Sequence, residues 1–263
     1  MNRYLSTVSL YIRSNLWRVL AAALAAALLC GILVYCYPSG EYTDSAGVDP
    51  VTGQEMLYTS QYPTLDGVVK ASGAPIAGAA GFVVIVLFMS LTGCGYGVKS
   101  AYTVRHLRLG EKKACLLWAL YHAVLLVVYW AALAAALYTA LTLRSHLAAG
   151  ESGYGVIGPQ TMLLLCYTDP FLHRLFPMQD IAVWAVDIAS VLAVSLSTIH
   201  FSYRQRCGGF SVSVFFTAPC VIAAFFCPLG SGWNHVLLVL LLALAGGALC
   251  DMMGGGGDAA QAA

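Results

Sequence analysis

The sequence predicts an all-α integral membrane protein with about six transmembrane helices, an N-terminal interfacial helix, and both termini in the cytoplasm. Three observations predict it. Apolar residues make up 60% of the chain and charged residues only 10%, whereas a soluble domain carries roughly 25% charged residues. The mean hydropathy is +0.78, and the apolar residues are gathered into blocks long enough to cross a bilayer rather than dispersed. Lys and Arg are concentrated in alternate connecting segments, which is the asymmetry that orients a multi-pass chain.

The elements follow in order. Leu5, Val8 and Ile12 recur at helical spacing among Arg3 and Arg13, so residues 1–16 are expected to lie at the inner interface as an amphipathic helix. The first span is 17–37. Arg3, Arg13 and Arg18 precede its apolar run from Leu20 to Tyr37 as in a secretion signal, and Cys30 follows two leucines. Leu29 is too large to precede a cleavage point, however, and the run continues beyond it, so the segment is read as a retained span. Between Pro38 and Pro75 five acids, Glu41, Asp44, Asp49, Glu55 and Asp66, stand against the single Lys70. The second span is 76–98 and the third 114–143, the latter long enough to tilt or to project. Met162 to Cys166, between Pro159 and Pro170, is too short to cross and suits an interfacial or re-entrant segment. Spans at 181–200, 210–226 and 234–250 complete the set. Residues 1–253 are expected to form a single transmembrane domain, with 254–263 a flexible Gly/Ala tail.

With the N-terminus inside, the cytoplasmic segments hold Arg3, Arg13, Arg18, Lys99, Arg105, Arg108, Lys112, Lys113, Arg204 and Arg206. Only Lys70, Arg144 and Arg174 are left outside, and both termini therefore fall in the cytoplasm.

Several function classes are excluded at this stage. The net charge of +1 gives no support for a nucleic-acid partner. The nine cysteines include no CxxC and no Cys/His group at zinc spacing, so they are read as small apolar fillers, with no metal site. No G-x-x-x-x-G-K-[ST] occurs, nor any Gly-Lys pair, so the chain has no phosphate cradle of its own. Gly93 to Gly97 closes an apolar helix and permits close helix contact. No HExxH is present. Ser231 and His235 lie near one another, but Leu229 stands where a serine intramembrane protease needs Gly, and nothing supplies an oriented base. No enzyme activity is expected.

Two features carry functional expectations. In the basic segment Lys99–Lys113, Tyr102, Arg105, His106 and Leu109 share one helix face, with Arg108 beside them and Gly110 as the stop. Such a face is either a docking peg for an acidic groove on another protein or a juxtamembrane cluster that sets topology and touches anionic lipid. Asp187 lies two turns inside its span, where an ionisable group is by default a functional hypothesis. It lines a translocation path, couples to a cation or proton, or hydrogen-bonds another span. His122 is the nearest candidate partner by type, although it sits at a different depth.

The run Tyr102-Thr-Val-Arg-His-Leu-Arg-Leu-Gly-Glu111 resembles the coupling helix "YTLRRL-small-x-x-E" of ABC-2-type permeases, the exporter-like membrane subunits of ATP-binding-cassette transporters. His106 stands where the family has a second Arg. Phe171-Leu-His-Arg-Leu-Phe-Pro-Met178 and Tyr203-Arg-Gln-Arg206 resemble the "FLHSLLPL" and "Y-x-x-RR" stretches of small permeases of this kind, and Arg18 sits where such chains enter the membrane. The resemblance implies a permease in a bacterial plasma membrane, paired with a second permease copy or homologue. ABC ATPase subunits would bind the ATP and dock on Tyr102, Arg105, His106, Arg108 and Leu109, so the chain needs no cofactor. Asp187 and His122 are then the residues expected along the path. The alternatives are a non-transporting scaffold or regulatory subunit of such a complex, and a secondary transporter coupled through Asp187.

The placement of residues 38–75 outside the cell is directly testable. A Thr52→Cys variant should react with an impermeant thiol reagent on intact cells. Reaction only after lysis would invert the topology.

Overall fold

From Asn2 to Cys30 no Gly or Pro interrupts the chain, so nothing breaks the helix that the apolar run begins. Helix α1 accordingly runs unbroken over Asn2–Tyr35. The expected interfacial helix is therefore not a separate element but the first turns of the first long helix. The structure, a computed structural model, describes residues 2–37, 44–48, 55–59, 65–91, 111–152, 159–177, 180–227 and 231–254. The expected Gly/Ala tail lies almost wholly outside these residues.

After α1 come two short strands, β1 (Asp44–Val48) and β2 (Glu55–Thr59), paired antiparallel with Asp44 opposite Thr59 and Val48 opposite Glu55. They depart from the all-α expectation. The signal was present in Pro50 and Gly53, turn formers set between segments containing Val, Tyr and Thr. The remaining elements are helical: α2 (Leu65–Ala71), α3 (Ala74–Leu91), α4 (Glu111–Ser152), α5 (Pro159–Thr168), α6 (Pro170–Leu175), α7 (Ile181–Arg206), α8 (Ser213–Phe226) and α9 (Ser231–Gly254).

Among the described residues, five segments are long and apolar enough to cross a membrane: Asn15–Tyr35, Ala74–Leu91, Lys112–Leu147, Ile181–Arg206 and Gly232–Gly254. The span expected at 210–226 is different. Helix α8 has 14 residues, about 21 Å of helix against a hydrocarbon core of about 30 Å. It starts late because α7 ends at Arg206 and the chain then turns through Gly208, whose φ of +79° is left-handed. The Ser211 hydroxyl then accepts from the Ser213 amide at 3.3 Å to open α8. Helix α4 errs the other way. Its 42 residues make about 63 Å of helix, twice the bilayer core.

Helices α1, α3, α4, α7, α8 and α9 alternate in direction. At the end where α1 starts, the Asn15 amide donates to Phe88 O near the end of α3. There Met252 of α9 packs with Cys115 and Trp118 of α4 and Ile199 of α7. At the opposite end, Cys30 Sγ donates to Ala74 O at 3.3 Å. There too Arg144 of α4 turns its guanidinium onto the last carbonyls of α1, donating to Val34 O at 3.0 Å and also to Tyr37 O. A cation on the free carbonyls of a helix C-terminus satisfies acceptors that have no partner within the helix.

The core is tight where α1 meets its neighbours. A Cβ added at Gly81 of α3 would lie 2.3 Å from the Cβ of Ala26, and one at Gly31 would lie 3.2 Å from Ala136 O of α4. The hydroxyl of Tyr129 bonds Gly78 O at 2.6 Å, fixing α4 against α3 in the same layer. Small residues at such crossings let backbones approach closely, which is what holds helices together once all surroundings are apolar.

Overpacking at this crossing should be costly. Gly81→Ala is expected to destabilise the bundle by about 1–3 kcal/mol, seen as a lower melting temperature in detergent. Gly246→Ala, where the added Cβ meets nothing within 4 Å, should not. Equal melting temperatures for the two variants would refute the packing assignment.

Candidate functional site: an apolar cavity with an Arg and an Asp

Helix α6 is only six residues long and exists because of its cap. Asp169 accepts from the amides of Phe171 and Leu172, both at 2.9 Å, and Pro170 occupies the first helical position, where its missing N–H costs nothing. This fixes Arg174 in the last turn. Helix α7 is started the same way by Asp180, which accepts from Ala182 N at 2.9 Å and Val183 N at 3.3 Å. Asp187 follows two turns later, close enough to Arg174 for their charges to interact.

The two side chains line a cavity of about 330 Å³. Trp184, Ile188 and Leu192 of α7 form one wall and Val127 and Trp130 of α4 another, with Phe225 of α8 and Pro177 closing it. The indole of Trp130 lies flat on Phe225, with centroids 4.0 Å apart and planes 13° from parallel. Trp184 is 50% exposed, Val127 55% and Ile188 57%, so the mouth opens on the outer flank of the bundle.

Arg174 is only 8% exposed. One of its terminal nitrogens, Nη2, donates to the side-chain oxygen of Asn234 at the start of α9. The other, Nη1, and Asp187 Oδ1 are both buried with no hydrogen-bond partner among the described residues. The two charges are close enough to interact, yet they do not meet in an ion pair. Burial draws the Arg174 guanidinium below its usual pKa, and the negative charges of Asp187 and Asp180 push it back up. A buried donor or acceptor left unmade costs about 1–3 kcal/mol. Both side chains border the cavity, whose remaining lining is apolar.

His122 is not part of this cavity. It is fully buried, and its Nδ1 lies 2.9 Å from Thr198 Oγ1. Thr198 already donates to Ser195 O at 2.9 Å, so the ring supplies the proton through Nδ1. Thr198 follows Asp187 by eleven residues, about 16 Å along the helix. The depth difference between Asp187 and His122 is thus real, and the two serve separate contacts. Tyr102, Arg105, His106, Arg108 and Leu109 lie outside the described residues.

Sequence reasoning placed Arg174 in a connecting segment and did not pair it with Asp187. The available signal was an Arg seven residues before a span that itself carries a lone acid. It also missed a second polar cluster, at the end where α7 and α9 finish. There Asp251 accepts from Arg204 Nε and Nη2, both at 2.7 Å, and from His200 Nε2 at 2.6 Å. His200 Nδ1 lies within hydrogen-bond distance of the hydroxyls of Ser211 at 3.0 Å and Ser213 at 3.1 Å. The order Ser–His–Asp is that of a hydrolase triad, but the chemistry differs. Ser211 is 4% exposed and holds the first turn of α8, and Asp251 is occupied by a bidentate guanidinium. The cluster is a clasp for α7, α8 and α9. Arg206 adds to it from α7, donating to Ser202 Oγ at 3.0 Å and lying 5.3 Å over the Trp118 ring of α4.

Among the described residues no group of His, Cys, Asp and Glu is arranged to hold a metal ion. Compared with family models, curated proteins and solved structures, the chain finds no match.

The coupling of Arg174 to Asp187 is measurable by a double-mutant cycle. Arg174→Gln should destabilise the protein, and adding Asp187→Asn should recover about 1 kcal/mol, because the second change removes a carboxylate that has lost its cation. Strictly additive effects would mean that the two charges do not interact.

Proposed function

We propose that this chain is the membrane-embedded permease subunit of an ATP-binding-cassette exporter in a bacterial plasma membrane, working with a second permease and driven by separate ATPase subunits. The observation that carries the reading is the permease-like run Tyr102–Glu111. It joins α3 to α4 at the end of the bundle that also bears Lys112, Lys113, Arg204 and Arg206. This clustering of cations supports a cytoplasmic position for that end and for both termini. In this reading ATP-driven closure of the ATPases moves the segment 100–109, and α4, which begins where that segment ends, carries the motion to the cavity wall. The Arg174–Asp187 cavity supports transport over a purely structural role, because a bundle selected only for stability has no use for a paired donor and acceptor left unmade beside an apolar opening.

Docking of this kind concentrates its energy in aromatic and Arg anchors, at about 2 kcal/mol or more each. A Tyr102→Ala, Arg105→Glu double variant should insert and fold normally, lose its ATPase during purification, and lose transport-stimulated hydrolysis. An ATPase retained at wild-type stoichiometry would make the segment a topology signal and end the coupling assignment. Retention of the ATPase by the wild-type chain without any ATP-driven flux would instead identify a scaffold subunit.

A further inference from the structure

The cavity's chemistry narrows what it can hold. Arg174 offers a buried guanidinium N–H without a partner, and Asp187 offers a buried carboxylate oxygen without one, both among the described residues. A guanidinium by itself selects an anion. The carboxylate beside it repels a second negative charge, so a purely anionic head is disfavoured, and a purely cationic head meets the opposite conflict. A head that carries both charges satisfies both groups at once. The rest of the wall is aromatic or aliphatic, and Trp130, Trp184 and Phe225 offer no charge. The mouth opens between Val127, Trp184 and Ile188, each at least half exposed on the flank of a bundle whose helices have the length and composition of membrane spans. A molecule entering there arrives from the apolar phase, tail still embedded.

We propose that the cavity between α4, α6 and α7 binds the head of a membrane-dissolved zwitterionic amphiphile, with an anionic phosphate or carboxylate on Arg174 and a primary ammonium on Asp187. The primary ammonium is required because Asp187 Oδ1 needs an N–H donor, which a quaternary ammonium lacks. Asn234 holds Nη2 of the guanidinium, and Arg174 makes no ion pair with Asp187 that would already neutralise both charges. The proposal rests on the permease reading for the fate of the bound molecule, whereas binding itself needs no ATPase.

The test uses the full-length chain in phosphatidylcholine nanodiscs, titrated with short-chain phospholipids of identical tails and read by tryptophan fluorescence. The ethanolamine head should bind about tenfold more tightly than the choline or glycerol heads, the factor that one charge-assisted hydrogen bond supplies. Asp187→Asn, nearly isosteric, should abolish that preference while leaving the melting temperature close to wild type. Free phosphoethanolamine should bind far more weakly than its tailed counterpart. Equal affinity for the three heads overturns the proposal, and the wild-type chain alone decides this point should the variant misfold. A preference that survives Asp187→Asn places the ligand elsewhere and also overturns it. Tail-free phosphoethanolamine binding as tightly as the lipid refutes the membrane origin. Head-selective binding by a chain that never engages an ATPase would keep the site and remove the permease reading, and the reverse result would do the opposite.

Discussion

The stack of Trp130 on Phe225 is the contact on which the cavity end of the molecule depends. Helix α8 is too short to cross a bilayer by itself, so its C-terminal end must be held inside the bundle rather than at a water interface. Phe225 and Phe226 do this. Phe226 meets Phe82 of α3, Phe171 of α6 and Trp130 at centroid distances of 6.5, 5.7 and 5.8 Å, while Phe225 lies flat against the indole. Offset and tilted aromatic pairs of this kind contribute about 0.5–1.5 kcal/mol each beyond their area. The same rings close one side of the cavity and press on α6, so Arg174 stands where the aromatic cluster puts it.

The polar groups obey a complementary constraint. In an apolar surround every charge must end on something, and here arginines bind helix ends together. Arg144 closes the carbonyl end of α1, Arg204 grips Asp251 of α9, and Arg206 spans from α7 to Trp118 and Cys115 of α4. Each reaches at least one group on a helix other than its own, which fixes neighbouring helices in register as well as in contact. Arg174 does the same from α6, its Nη2 donating to Asn234 of α9.

Hydropathy made the long helices legible. The centres of α1, α3, α4, α7 and α9 all fall within the apolar blocks, and Asp187 stood out as the one acid in the run 181–200. Their limits were less legible. An amphipathic start and an apolar continuation share one helical period, so pattern alone could not show that residues 2–16 continue into α1. The length of α8 depended on a left-handed glycine at 208 and on the Ser211–Ser213 contact that follows it, neither of which alters hydropathy. The β1–β2 ladder is short and polar, and a polar stretch between spans gives weak strand signal. Arg174 was hidden for a different reason. Its partners, Asp187 and Asn234, come from two other helices, and such a pairing depends on which faces meet.

Helix α4 contains no Gly or Pro from Glu111 to Ala149, so it has none of the usual sites at which a helix bends. It is therefore a rigid lever rather than a passive strut. A rotation of about 5° about one end would sweep the far end of its roughly 63 Å length through about 5 Å. Val127 and Trp130 ride partway along that lever, so the same rotation would shift them by about 2 Å. A rigid displacement of α4 would therefore carry this wall of the cavity with it.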